Sequence, residues 1–336
     1  MIRFGPAGIP LSCKGRTLLD GVEEVHALGL TAMEVQLIRT ATSERLPDEE
    51  EIGKSPLELE TDLIVSIKRD EEIIEDPEEK IRREDELIVL ESNLCHSYKE
   101  LEEVAQFGQD HDIQLSVHAS YYVDFTGREE LVSRSKQNLK LAGLICNALS
   151  GSITVTQLGF YGSRGRKEGT AKILKSLREI RDWWKDNRFS FPIGIETSGR
   201  SETFGSLEEV VNVAKRVSGT CPALNFAHLH AREKDAMNNV EDVKSALEKA
   251  RKAADGFLYT IFSGVERTRT NEIRLTPIKR GDLKFEPVAE LMVEENYDMT
   301  VISSSPLLEH DAVYMGLIFE RTLLRSLGKE EKAKER

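Results

Sequence analysis

Aromatic residues make up only 6% of this 336-residue chain, and no apolar stretch approaches the roughly 18 residues that a membrane-spanning helix requires. A spanning protein is therefore not expected. The four cysteines, Cys13, Cys95, Cys146 and Cys221, form no CxxC pair and read as free thiols of a reducing compartment. No charged region followed by an apolar stretch opens the sequence, so no secretory leader is expected and the location reads as cytoplasmic. There is also no GxGxxG after the first strand-like run, where a dinucleotide site would need one. What is present is globular: 39% apolar and 31% charged residues. A chain this long can bury roughly 75% of its unfolded surface, and single domains of this size are common among barrels and large α/β folds.

The net charge of −13 is unevenly spread. Residues 48–91 hold 18 Asp and Glu against 6 Lys and Arg, a local net of −12 that leaves about −1 for the rest. A nearly neutral body does not exclude an anionic ligand such as nucleic acid.

Outside the acidic segment, short β-branched runs alternate with amphipathic helical patterns. The runs fall at 2–5, 32–38, 114–119, 152–158, 192–197, 223–228, 257–262 and 299–303. Thr17-Leu-Leu-Asp20 reads as a capping box ahead of Val22, Val25 and Leu28. Further helices are expected near 98–110, 129–149, 170–186, 206–217, 240–254, 286–295 and 307–327. Eight strand and helix units in alternation predict an α/β fold, a (β/α)8 TIM barrel over 1–327, with a doubly wound sheet as the alternative. The barrel is interrupted by an acidic, β-rich inserted subdomain at 39–97 in the second βα connection and followed by a charged tail at 328–336. Two β-rich runs inside the insertion, 62–68 and 86–91, suit a hairpin or small sheet. That sheet would be a solvated excursion, a lid, or an arm for a protein partner or self-association.

In a TIM barrel the chemistry sits at the C-terminal ends of the strands. There the sequence places His118, Glu196 and His228, and two imidazoles with one carboxylate suit zinc or a similar divalent ion with a position left for water. His230 is a supplementary candidate if the chain stays extended.

Several motifs in order carry a resemblance: Phe4-Gly-Pro-Ala-Gly-Ile-Pro10, Leu115-Ser-Val-His-Ala119, Gly159-Phe-Tyr-Gly162, Glu196, Asn225-Phe-Ala-His-Leu-His-Ala-Arg232, Phe262-Ser-Gly264 and Ser303-Ser-Ser-Pro306. Together they resemble the endonuclease IV family, AP endonuclease family 2. These are zinc-dependent abasic-site endonucleases of the xylose-isomerase-like TIM barrel superfamily, and the likeness is to the archaeal branch. The resemblance implies metal ligands at His118, Glu196 and His228. It also implies that ligands of the family's three-zinc cluster are replaced at Gln157, Asn225, Ile261, Leu275 and Ser304. Three dications cannot be held a few ångströms apart without the carboxylates that offset their repulsion. The expectation is at most one divalent ion, with Glu196 as the catalytic carboxylate.

The loop 159–167 adds cations and an aromatic beside the expected mouth, where Arg164, Arg166 and Lys167 could pair with phosphates and Tyr161 stack on a base or sugar. A second basic cluster, Arg267, Arg269, Arg274, Lys279 and Arg280, follows strand seven. The function expected is that of a divergent protein of DNA-repair lineage, endonuclease IV-like, with at most a single-metal phosphodiesterase-type site and weak or no abasic-site cleavage. A non-catalytic scaffold acting through its acidic insertion is the alternative, and a xylose-isomerase-like sugar enzyme, which needs several carboxylates and histidines, the weaker one.

Overall fold

The computed structural model describes residues 1–15, 17–38, 41–92, 94–163, 165–233 and 237–334, the last six of them as backbone. In chain order the elements are β1 (Ile2–Pro6), α1 (Leu18–Ala27), β2 (Ala32–Gln36), β3 (Ala41–Arg45), β4 (Ile64–Arg69), β5 (Glu72–Ile74), β6 (Glu86–Glu91), α2 (Tyr98–Asp110), β7 (Gln114–His118), α3 (Glu129–Ala148), β8 (Thr154–Thr156), α4 (Arg166–Asp186), β9 (Ile193–Glu196), α5 (Leu207–Arg216) and β10 (Thr220–Asn225). There follow α6 (Phe226–Arg232), α7 (Val240–Ala253), β11 (Tyr259–Phe262), β12 (Gly264–Arg267), β13 (Glu272–Thr276), α8 (Glu286–Glu294), β14 (Met299–Ser303) and α9 (Glu309–Lys334).

Eight parallel strands run in the order β1-β14-β11-β10-β9-β8-β7-β2, the neighbour sequence of a (β/α)8 barrel. The ends of this sheet meet where Thr31 N–H donates to the Phe4 carbonyl at 3.0 Å and Ala7 bridges to Glu34. Glycine is required at this seam, because a Cβ on Gly5 would lie 1.7 Å from the Ala32 carbonyl oxygen. Strand alternation splits the apolar residues into two layers. Ala32, Ile153, Val155, Cys221, Ala223, Tyr259, Ile261 and Ile302 form a small cluster of their own inside the barrel. A larger one between strands and helices includes Val35, Val117, Leu139, Trp184, Leu224 and Phe285. The Thr17–Asp20 capping box opens α1 as the sequence indicates.

Between β2 and α2 lies a separate antiparallel sheet of order β3-β6-β4-β5. One face, with Ile64, Ile67, Leu87 and Val89, makes its own small cluster. From the other face Leu63, Val65 and Leu90 join the main core of the barrel. Two of the segment's bases keep its acids together. Arg45 meets Glu51 at 2.6 Å and Asp62 at 2.7 Å, and Arg69 meets the fully buried Asp85 at 2.8 Å.

Two elements differ from their sequence reading. The run at 223–228 leaves the strand at Asn225 and turns into α6, because the Asn225 side chain accepts the His228 N–H and caps a helix there. His228 and His230 are thus helical, not strand-end, residues. The final helix does not stop at 327 either, but continues to Lys334 through residues read as a tail. No helix among the described residues is long and apolar enough to cross a membrane.

Candidate functional site

The C-terminal mouth of the barrel holds a pocket of about 350 Å³. Glu196, at the end of β9 and 3% exposed, is its centre. Its Oε2 lies 3.2 Å from His118 Nε2 and accepts the Gln157 amide N–H at 2.8 Å. Its Oε1 accepts the Asn225 amide N–H at 2.9 Å and lies 3.5 Å from His228 Nδ1. Burial alone would raise the carboxyl's pKa. The positive His228, the His118 contact and the Asn225 hydrogen bond outweigh burial and hold the pKa at about 2.

His228 sits in the first turn of α6 with both ring nitrogens facing acceptors, Nδ1 at 2.6 Å from the Thr197 carbonyl and Nε2 at 3.1 Å from Glu272 Oε2. Such an imidazole is doubly protonated, because each nitrogen must donate. Burial works against that charge, but Glu196 and Glu272 overcome it and lift the pKa to about 9. His118 is held alike, Nδ1 at 2.7 Å from the Ala119 carbonyl, and its ring stacks on Tyr121 at 4.3 Å. Its pKa is also raised, contacts with Glu196 and the charge of Glu34 offsetting burial.

Two carboxylates absent from the sequence reading complete the pocket. Glu272 opens β13 and reaches His228 past Gly199, where a Cβ would come 2.4 Å from Glu272 Oε2. Glu34, on β2, is 1% exposed. It accepts from Tyr259 Oη at 2.7 Å and from Gln36 Nε2 at 2.6 Å, and burial pushes its pKa up. Both had a legible signal. Glu34 is the one charge in the apolar strand 32–38, and Glu272 the one acid among the cations of 267–280.

The positions marked as replaced ligands, Gln157, Asn225, Ile261, Leu275 and Ser304, all line this same pocket. The side chains as arranged do not fit a divalent ion. Each Glu196 oxygen already accepts an amide N–H, and His118 and His228 direct both ring nitrogens at oxygen acceptors, leaving no imidazole lone pair for a metal as the rings are held. Among the described residues no three His, Cys, Asp or Glu side chains are placed to hold an ion together. His230 faces away from the pocket, its Nε2 at 3.2 Å from Asp282.

The basic loop is disposed differently from its sequence reading. Tyr161 is buried, its hydroxyl at 2.8 Å from Glu209 and 2.9 Å from Arg232, with the Arg166 guanidinium over its ring at 4.7 Å. It cannot stack on a base without leaving those partners. The exposed aromatic is Phe160. Arg166 and Lys167 are exposed at the start of α4, and Arg164 lies outside the described residues. Of the second cluster, Arg267 pairs with Asp282 at 2.8 Å and Arg274 with Glu266 at 2.7 Å, along a neighbouring groove of about 870 Å³.

A parallel eight-stranded barrel with a carboxylate and histidine site at its C-terminal mouth defines the class of protein. The particular family follows from comparison: residues 88–308 match the profile of the xylose isomerase-like TIM barrel family, and the chain belongs to it. An uncharacterized protein of Methanocaldococcus jannaschii is 25% identical over 216 residues, covering 62% of this chain and 77% of its own. Among solved structures, endonuclease IV from Thermus thermophilus superposes with a TM-score of 0.60 at 16% identity, covering 96% of this chain and 99% of that one. L-ribulose 3-epimerase does so at 0.58 and 10%, covering 97% of each chain, and a D-tagatose 3-epimerase-like protein at 0.55 and 17%, covering 69% of this chain and 85% of that one. At these identities the likeness is one of fold.

Proposed function

We propose that this chain is an acid–base enzyme for a small polyhydroxylated carbonyl compound, of the sugar class, and not an abasic-site endonuclease of the three-zinc type. The observation that carries this reading is the entry of Glu272 and Glu34 into the pocket of Glu196, His118 and His228. Several carboxylates and histidines around a small cavity were what a sugar-type site lacked on sequence alone. Endonuclease IV and the sugar epimerases have this same fold, so the fold does not choose between them. The pocket argues for the second.

A cavity of about 350 Å³ suits a compact ligand. Hydroxyl groups both donate and accept, and the pocket offers them carboxylate and amide acceptors with imidazolium donors. Phe160 and Tyr121 stand half-exposed at its lip, where ring faces can cover the C–H face of a sugar. At neutral pH His228 is an acid whose Nε2–H is held by Glu272, and a substrate entering between the two would receive that N–H at a carbonyl oxygen in which negative charge develops. Glu272 is ionised, because its contact with His228 outweighs its burial, and is the base at hand for a proton on the neighbouring carbon. Glu196 anchors both histidines and stays charged throughout. Phosphate pairing by Arg166 and Lys167 would serve a phosphorylated sugar as well as a nucleic acid.

The test is solvent exchange. Incubation of a panel of ketoses and aldoses in heavy water, followed by NMR, should show deuterium entering the carbon beside the carbonyl for at least one sugar. Glu272→Gln and His228→Gln should each lose most of that exchange. An exchange-inactive wild type that cuts abasic DNA would overturn the reading.

A further inference from the structure

We infer that the amide of Asn225 stands in for a cation at Glu196, so that this mouth is assembled by hydrogen bonds where the family resemblance implies metal. Asn225 serves two neighbours at once. Its Oδ1 accepts the His228 backbone N–H at 3.2 Å and caps α6, which leaves Nδ2 on the opposite side, 2.9 Å from Glu196 Oε1. Turning the amide over would set its N–H groups against the His228 N–H and its oxygen against a carboxylate oxygen. Only one orientation satisfies both partners. The backbone is pinned as well, since Asn225 N–H donates to Thr197 Oγ1 at 2.9 Å.

A buried carboxylate must be paired or hydrogen-bonded to stay charged. Gln157 serves the second oxygen as Asn225 serves the first, and a histidine lies beside each. The positions a cation would take against Glu196 are filled by N–H groups.

An aspartate at position 225 would cap α6 as well as asparagine does, and would turn an oxygen toward Glu196 Oε1 at hydrogen-bonding distance. Two carboxylates that close share a proton unless a cation lies between them, and only the cation leaves both ionised. An imidazole alongside that gives up its ring proton would complete the donor set, and an ion such as zinc or manganese is the one to expect. One amide therefore separates a hydrogen-bonded mouth from a cation-dependent one.

The experiment uses the full chain as wild type, Asn225→Asp and Asn225→Ser. Each is stripped of metal, melted with and without zinc or manganese, and assayed for retained metal after desalting. The wild type should retain none and show no ion-dependent shift. Asn225→Asp should melt lower when stripped and recover when the ion is added. Asn225→Ser, which keeps a cap without a charge, should melt lower and ignore the ion. Tight retention of one ion by the wild type, with an equal rise in its melting temperature, would overturn the inference. So would a folded Asn225→Asp that gives no response to either ion. If that variant folds under neither condition, metal retention by the wild type alone decides. None of these readouts requires turnover, so their failure is distinct from a failure of deuterium exchange.

Discussion

Glu196 and His228 sustain each other's charge, and the cost of burying one is offset only while the other stays ionised. The pH dependence follows from the direction of each shift. Glu196, at about 2 against an ordinary 4.5, contributes stability that is complete above 4.5 and is lost as pH falls toward 2. His228, at about 9 against 6.5, contributes stability that is complete below 6.5 and is lost as pH rises through 9. The pair therefore stabilises most between 4.5 and 6.5. In melts across pH, His228→Gln should lower the melting temperature in that window and flatten the wild-type decline between 6.5 and 9. An unchanged alkaline limb in the variant would show that His228 does not carry the effect. At this scale the sequence is legible where a residue type is rare and its position in a strand repeat is informative, as for His118 and Glu196. Glu272 stands out only as the one acid among the cations of 267–280, which marks the residue and not its role. Its role depends on a hairpin that brings position 272 back against position 228, and local pattern holds no record of that return. Tyr161 shows the converse, since an aromatic in a basic loop reads as a stacking surface until Glu209 and Arg232 are seen to hold its hydroxyl.

The four-stranded sheet between β2 and α2 is the element with the largest departure from neutrality, and its attachment decides what removing it would do. Leu63, Val65 and Leu90 pack into the barrel's own core, and burying each stabilises by about 1.5–3 kcal/mol relative to exposure. On the far side Glu75 accepts from Lys140 at 3.1 Å and also bonds the Trp183 indole, tying the segment to α3 and α4. Deleting 41–91 and closing the loop should therefore lower the melting temperature strongly or yield insoluble protein, as a scan of the soluble fraction would show. A deletion variant that melts like the wild type would make the sheet an independent module. The two central strands are readable from their β-branched runs, whereas β3 is polar and β5 only three residues long, and the pairing of both is set by the neighbours they flank. The helix α6 was hidden for a related reason. The largely apolar run 223–228, broken by Asn225 and His228, suits a buried strand, and only the cap at Asn225 marks where the helix begins.

For the whole molecule, the eightfold alternation of strand and helix is a long-range regularity, and that is why the barrel could be read before its contacts were seen. The chemistry at its mouth could not be, because the same barrel accepts metal clusters or hydrogen-bonded networks on the ends of the same strands. The central claim is that this mouth is hydrogen-bonded and not metal-built. Incision of abasic duplex DNA tests it most directly, with zinc, manganese and magnesium supplied in turn and Glu196→Gln run in parallel. Phosphodiester cleavage of that kind uses metal ions to generate hydroxide and to neutralise phosphate charge, an advantage of several kcal/mol that amide groups cannot supply. The account predicts no incision, or incision far weaker than that of endonuclease IV, with every metal. Robust cleavage by the wild type that disappears in Glu196→Gln would contradict it.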